Sequence, residues 1–172
     1  MQGYASTSIS EIVAKAGTSV GLPYYHFGSK KQIFLTLWSE YQVSQDARTR
    51  SAVAAARESG ATGEDLLLAG TRAYMWGAWE AKDIVPMLHS MDAPSGFDAA
   101  IRDADRRWER RNQALLSDYD PKLVATTTLM FAGALRAVCL RLPRCRSKAE
   151  ASELIEQALV NFSGLLSGLG GN

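Results

Sequence analysis

Cysteine is scarce in this chain: 172 residues contain two, Cys139 and Cys145. A disulfide framework is therefore excluded, and the pair lacks the Cys-x-x-Cys spacing of a metal site. Two free thiols fit a reducing, cytoplasmic setting. Charge of one sign is also missing. The net charge is +1, so the protein as a whole does not attract polyanions, and any nucleic-acid site has to be a local patch. No apolar run approaches the ~20 residues a membrane helix needs, so no membrane partner is expected. A basic-then-apolar leader is absent. Strict apolar/polar alternation is absent over any useful length, which argues against strands. Repeats and low-complexity segments are lacking too.

What is present is a 47% hydrophobic composition, enough for a proper core, and frequent helix punctuation. "TSISEIVAKAG" starts with Thr7 or Ser8 as cap, Ser8 and Glu11 form a capping box, and Gly17 stops the helix. A second short helix is predicted near 19–26, ending at Gly28. Ser29 opens a long helix with Ile33, Phe34, Leu37, Trp38 and Tyr41 on one face. Polar residues thin that stripe after Gln42, so the helix is expected to project away from its first partner until Gly60 and Gly63 break it. "EDLLLAGTRAYMWGAWEAKD" is apolar nearly all round and reads as a central buried helix. A short helix near 84–91 and a loop at 92–96 precede a stripe of Phe97, Ala100, Ile101, Ala104, Trp108 and Leu115. Asp120-Pro121 starts another helix, and Ser147 with Glu150 caps the last. The predicted fold class is all-α.

Two short helices joined at Gly17 have helix-turn-helix spacing, and in such units the second helix enters the major groove. Residues 1–50 hold Lys15, Lys30, Lys31, Arg48 and Arg50 against Glu11, Glu40 and Asp46, a mild local positive excess. The helix beginning at Ser29-Lys30 offers free backbone N–H groups and a positive dipole end to a phosphate.

With these motifs in register, "TSISEIVAKAGTSVGLPYYHFGSKKQIF" resembles the DNA-binding domain of the TetR (tetracycline-repressor) family of transcriptional regulators. The resemblance implies a helix-turn-helix head, residues 1–45, and a helical ligand-binding and dimerisation domain, residues 46–172. It implies phosphate contacts from Tyr24, Tyr25 and Lys30, and support of the recognition helix by His26. Ser8 and Ser10 would lie near the backbone or groove edge, with Ser19, Val20 and Leu22 facing the bases. Val20 and Leu22 depart from the polar residues common there, leaving apolar contact with thymine methyl groups. The family also carries an amphipathic helix before the Gly3-Tyr4 position. The sequence starts at Met1-Gln2, by start-site assignment, by shortening or by true absence of that helix; in this form Ile9, Ile12, Val13, Phe27, Phe34, Leu37 and Trp38 are expected to want cover, and residues 1–28 to be loosely held.

The implied function is a ligand-responsive transcriptional regulator. It would be a repressor, acting as a homodimer on a palindromic double-stranded DNA operator and released by a small-molecule effector. A dimeric ligand-binding protein with a non-functional head is the alternative. Trp76, Trp79, Trp108 and Phe131 are candidates to line the effector site. Leu154, Ile155, Leu159, Phe162 and Leu166, with the helix after Pro121, are the candidate dimer face. His89 reads as a surface or satisfied histidine, and Phe27 and the central aromatics and methionines as core. No Ser/His/Asp set, carboxylate pair or phosphate-cradling loop is found, so no enzymatic activity, cofactor or metal is expected.

Overall fold

The computed structural model of the chain describes residues 4–17, 25–88 and 92–169. Among them there are seven α-helices and no strand, so the fold is all-α. They are α1 (Ile9–Ala16), α2 (Lys30–Glu58), α3 (Gly63–Glu80), α4 (Val85–Leu88), α5 (Phe97–Gln113), α6 (Pro121–Arg141) and α7 (Lys148–Ser167). Residues 25–27 are also helical. Single 3-10 turns follow α5 and α6, at Ala114–Leu116 and Leu142–Arg144.

The helix starts are set by local chemistry. Ser8 accepts from the Glu11 backbone N–H, and Glu11 accepts from the Ser8 backbone N–H in return. Ser29 accepts from the Gln32 N–H. The Asp120 carboxylate accepts from the N–H groups of Lys122 and Leu123, with Pro121 at the first helical position. Ser147 accepts from the Glu150 N–H, but the Glu150 carboxylate takes the N–H of Arg146 instead of the cap's own. Each device satisfies orphan donors that a helix N-terminus leaves free. Gly17 closes α1 at φ 64°, a left-handed conformation that favours glycine.

α2 does not project away as its polar stretch suggests. It runs unbroken across residue 45, the expected domain division, and packs antiparallel along α3 through a tight turn at residues 59–62. The contact is close because α3 carries glycine where α2 presents side chains. A Cβ at Gly70 would meet Val53 Cγ2 at 3.1 Å. A Cβ at Gly77 would overlap the Gln45 amide oxygen and stand 2.8 Å from its Cδ. Gln45 is thereby buried at 2% exposure. Its Nε2 donates to the Tyr41 hydroxyl (2.8 Å) and to the Tyr74 carbonyl (3.1 Å). An Arg48–Glu80 ion pair lies on the outer edge of the same contact. Burial pushes the Tyr41 phenol up to about 12, so it stays neutral inside this seam.

α3 also touches α6 and α7, which makes it the central helix. Phe131 of α6 stacks on Phe162 of α7 with centroids 4.3 Å apart. Met75, Val85, Leu88, Leu116, Leu142 and Ile155 complete a core from which solvent is excluded. Contrary to the sequence reading, residues Pro121–Arg144 are long and apolar enough, by length and composition, to cross a membrane. Here Val124, Thr128, Phe131, Leu135 and Cys139, at spacings of three and four, turn one face of α6 into the protein core.

The Gly77 contact makes a direct prediction. In an ordinary helix interior Gly→Ala stabilises by about 1 kcal/mol. Here Gly77→Ala should destabilise by about 1–3 kcal/mol, the usual cost of overpacking, measured by chemical denaturation. Adding Gln45→Ala should recover much of that loss. A Gly77→Ala protein as stable as the parent would show that α2 and α3 are not held at this separation.

Candidate functional site

Two regions can carry function, the head and a cavity beneath it. In the head, the Ser8 hydroxyl is committed to its cap, donating to the Glu11 carboxylate at 2.9 Å, while Ser10 is exposed. Tyr25 projects at 86% exposure, with His26 edge-on to it at 5.4 Å. Both are therefore free to touch a partner. Ser19, Val20, Leu22 and Tyr24, expected at the bases and phosphates, lie outside the described residues, as does His89. Phe27, expected in the core, is 37% exposed. Of the other apolar residues expected to want cover, Val13, Phe34 and Trp38 are buried, whereas Ile9, Ile12 and Leu37 are half-buried.

Lys30 departs most from expectation. Its ammonium donates to the carbonyl oxygens of Tyr4 (2.8 Å) and Thr7 (2.9 Å), with Ala5 at 3.4 Å. It also sits 4.4 Å from the centroid of the Tyr4 ring. Three carbonyls use the three donors of an ammonium, so in this structure Lys30 pins the segment before α1 and is not offered to a phosphate. The next residue, Lys31, is exposed and has no hydrogen bond or ion pair to the described residues. Lys15, in the last turn of α1, is likewise exposed.

The segment that Lys30 pins is also tied to residues far along the chain. The Ala5 backbone N–H donates to Asp92 Oδ2 at 2.7 Å. Tyr4 meets Phe34 edge-on at 5.4 Å. Phe34 meets Phe97 at 4.8 Å, and Phe97 meets Trp38 at 5.0 Å, both near perpendicular. These are favourable aromatic geometries. Phe97 is the first residue of α5, so one ring joins the start of α5 to the head end of α2.

α5 then runs along a cavity of about 510 Å³ enclosed by α2, α3, α5 and α6, within the range of small-molecule sites. α5 contributes Ile101, Ala104, Asp105, Trp108 and Glu109. α2 contributes one long stripe from Trp38 through Asp46, Arg50 and Val53 to Arg57. Thr71 and Tyr74 of α3 and Leu129, Arg136 and Cys139 of α6 close the other sides. The Cys139 thiol is pushed up to about 12 by burial, so it is a neutral wall group. Burial raises the Asp105 carboxyl, and the Arg136 guanidinium opposes that shift.

Of the four aromatic candidates, Trp108 lines this cavity. Phe131 does not, being fully buried between Trp108 and Phe162. Trp76 and Trp79 pair edge-on at 5.6 Å outside it, under Lys148 and Lys82 respectively. The sequence reading missed the cavity's polar α2 side. Its signal was the spacing of three and four among Asp46, Thr49, Arg50, Val53 and Arg57.

The candidate dimer residues are also redistributed. Ile155, Leu159, Phe162 and Leu166 are buried in the chain's own core, and Leu154 is half-buried against it. Four of the five therefore fill the protomer's own core, and only Leu154 keeps part of its surface. The apolar residues that α6 and α7 expose are Leu123, Leu129, Met130 and Val160. Met130 had been expected in the core.

Residues 1–37 match the family profile of bacterial regulatory proteins, tetR family. No curated protein matches the chain at significant similarity. Solved structures share its fold, two of them as follows. A TerR/AcrR-family transcriptional regulator from Aquifex aeolicus VF5 superposes with a TM-score of 0.68 at 21% identity, covering 94% of this chain and 89% of that one. A TetR-like transcriptional regulator from Rhodococcus sp. RHA1 gives 0.69 at 21% identity, covering 95% and 88%.

If Phe97 couples the head to α5, Phe97→Ala should do more than open a hole. The cost should be about 3–5 kcal/mol. Hydrogen exchange should speed up more in Ile9–Ala16 than in Lys148–Ser167. Equal losses in both helices would leave Phe97 as core filling alone.

Proposed function

We propose that this chain is a TetR-family regulator, a one-component repressor with a DNA-binding head that a small-molecule effector removes from its operator. The reading rests on one observation above all. α5 lines the cavity with its middle and grips the head with its first residue, through Phe97 against Phe34 and Trp38. A ligand that shifts α5 has to shift these rings, and with them the start of α2. A ligand acts this way only through tighter binding to the state that does not fit DNA. Two half-sites on a duplex have a fixed spacing, so a small displacement of paired heads is costly.

The head's contacts are assigned accordingly. Tyr25 and Lys31 approach the phosphate backbone from the exposed tip, while Lys30 positions the segment before α1. Phosphate contacts hold register without reading sequence, and Ser19, Val20 and Leu22 remain the residues proposed to face the bases. The setting is the cytoplasm, where operator DNA is reached directly.

A homodimer supplies the two heads. Its proposed face is the outer side of α6 and α7. Met130 and Val160 are 56% and 72% exposed there, beside the exposed small residues Ala134, Ala137 and Gly164. Small residues let helix backbones approach closely, and obligate interfaces are typically large and apolar. Met130→Glu with Val160→Glu should yield folded monomers in analytical ultracentrifugation. Leu159→Glu with Phe162→Glu should unfold the protomer instead. A Met130→Glu, Val160→Glu protein that remains fully dimeric would place the interface elsewhere.

Salt dependence separates the two lysines. Lys31→Ala should lower the slope of log K against log salt by about 1 per contact, hence about 2 for a dimer. Lys30→Ala should leave the slope near its parent value and instead loosen the head, seen as faster hydrogen exchange at residues 4–17. The reverse pattern would return the phosphate role to Lys30. Absence of any binding to DNA fragments selected from a genomic library would remove the regulator reading itself.

A further inference from the structure

We infer that the cavity takes an anionic amphiphile, an apolar body ending in a carboxylate or phosphate, held by Arg50 and Arg57 of α2. This rests on the effector reading and specifies its ligand. The cavity wall carries four arginines and three acids, a formal balance of four minus three, or +1. One ion pair lies inside the wall: Arg111 donates to Asp46 at 3.0 Å. What remains is Asp105 and Glu109 against Arg50, Arg57 and Arg136, so the cations keep the excess. None of these five has an ion-pair partner among the described residues. Arg50 and Arg57 stand two turns apart on the stripe of α2 that faces the cavity, about 10 Å along the helix. Their long side chains can close on one anionic group from either side, and each planar guanidinium can present paired N–H donors to its oxygens.

The rest of the wall suits an apolar body. Leu66 of α3, Ile101 and Trp108 of α5, Leu115 beyond it and Leu129 of α6 face the same space. A cationic ligand finds a poorer site, because it has to displace Arg111 from Asp46 or share the remaining acids with three uncompensated guanidiniums. Arg50 and Arg57 also explain why such a ligand would act on the head. They belong to α2, while the apolar wall belongs mainly to α3, α5 and α6. An anionic amphiphile would draw the helix that carries the head toward the helices that hold it.

Four probes of equal chain length test this: decanoate, decyl phosphate, decanol and decyltrimethylammonium, each below its micelle concentration. Binding is followed by calorimetry and tryptophan fluorescence, and function by release of bound DNA. One or both anions should bind at least ten-fold more tightly than the alcohol or the cation. Whichever anion binds more tightly identifies the head group. Arg50→Gln with Arg57→Gln should weaken anion binding by ten-fold or more, the loss of about one charge-assisted hydrogen bond, and leave decanol unchanged. Both arginines are exposed, so the variant should fold. The comparison of four probes on the parent protein needs no variant. Equal binding of decanol or of the cation, or an unchanged affinity for anions in the double variant, overturns the anionic assignment. The effector reading survives that result if DNA is still released. If no probe binds and none releases DNA, the assignment and the effector role both lose their support.

Discussion

The edge-on packing of Phe97 between Phe34 and Trp38 is the contact on which the two ends of this molecule depend. Phe97 is 2% exposed and Phe34 3%, so the junction excludes water and cannot slide freely. Protein interiors pack too densely to deform continuously. Packing of this kind passes strain on more readily than it absorbs it, which is the basis of the proposed coupling between α5 and α2. Around the rings, polar contacts add direction. Lys30 ties residues 4–7 to the start of α2, and Asp92 ties the same segment to the loop before α5. The head is gripped from two sides, by α2, which borders the cavity, and by the loop that leads into α5.

α2 has two further jobs, and its sequence reflects the compromise. Toward α3 it presents Tyr41, Gln45 and Val53, and approaches closely because Gly70 and Gly77 lack side chains. Toward the cavity it presents Asp46, Thr49, Arg50 and Arg57. A helix that borders both a close-packed seam and a polar cavity cannot show one clean apolar stripe. The thinning of that stripe after Gln42 records the cavity, not departure from the core.

α6 shows a similar division. Its buried face supplies Phe131, Leu135 and Cys139, while its other faces expose Leu129 and Met130. Apolar residues all round a helix are compatible with a core, a bilayer or a partner. Periodicity cannot rank them, because it records how often apolar residues recur and not which neighbour covers them.

Taken alone, the sequence determined what acts over a few residues. The caps at Ser8, Ser29, Asp120 and Ser147 and the left-handed stop at Gly17 were legible because donor and acceptor lie within four positions of each other. The all-α class followed from that punctuation, and the head from a motif whose spacing is local. The tertiary structure alone decided which charges are free and which apolar faces are covered. Lys30 and Lys31 are neighbours in a basic turn, yet Lys30 meets carbonyls 23 to 26 positions away, and Lys31 meets none. Ile155 and Phe162 resemble an interface on a helical wheel, but α3 and α6 reach them first. Trp76 and Trp108 look alike in sequence, and only packing puts one of them at the cavity. These outcomes depend on contacts between residues far apart in the chain, and one sequence contains no local signal of which of its many possible partners arrives.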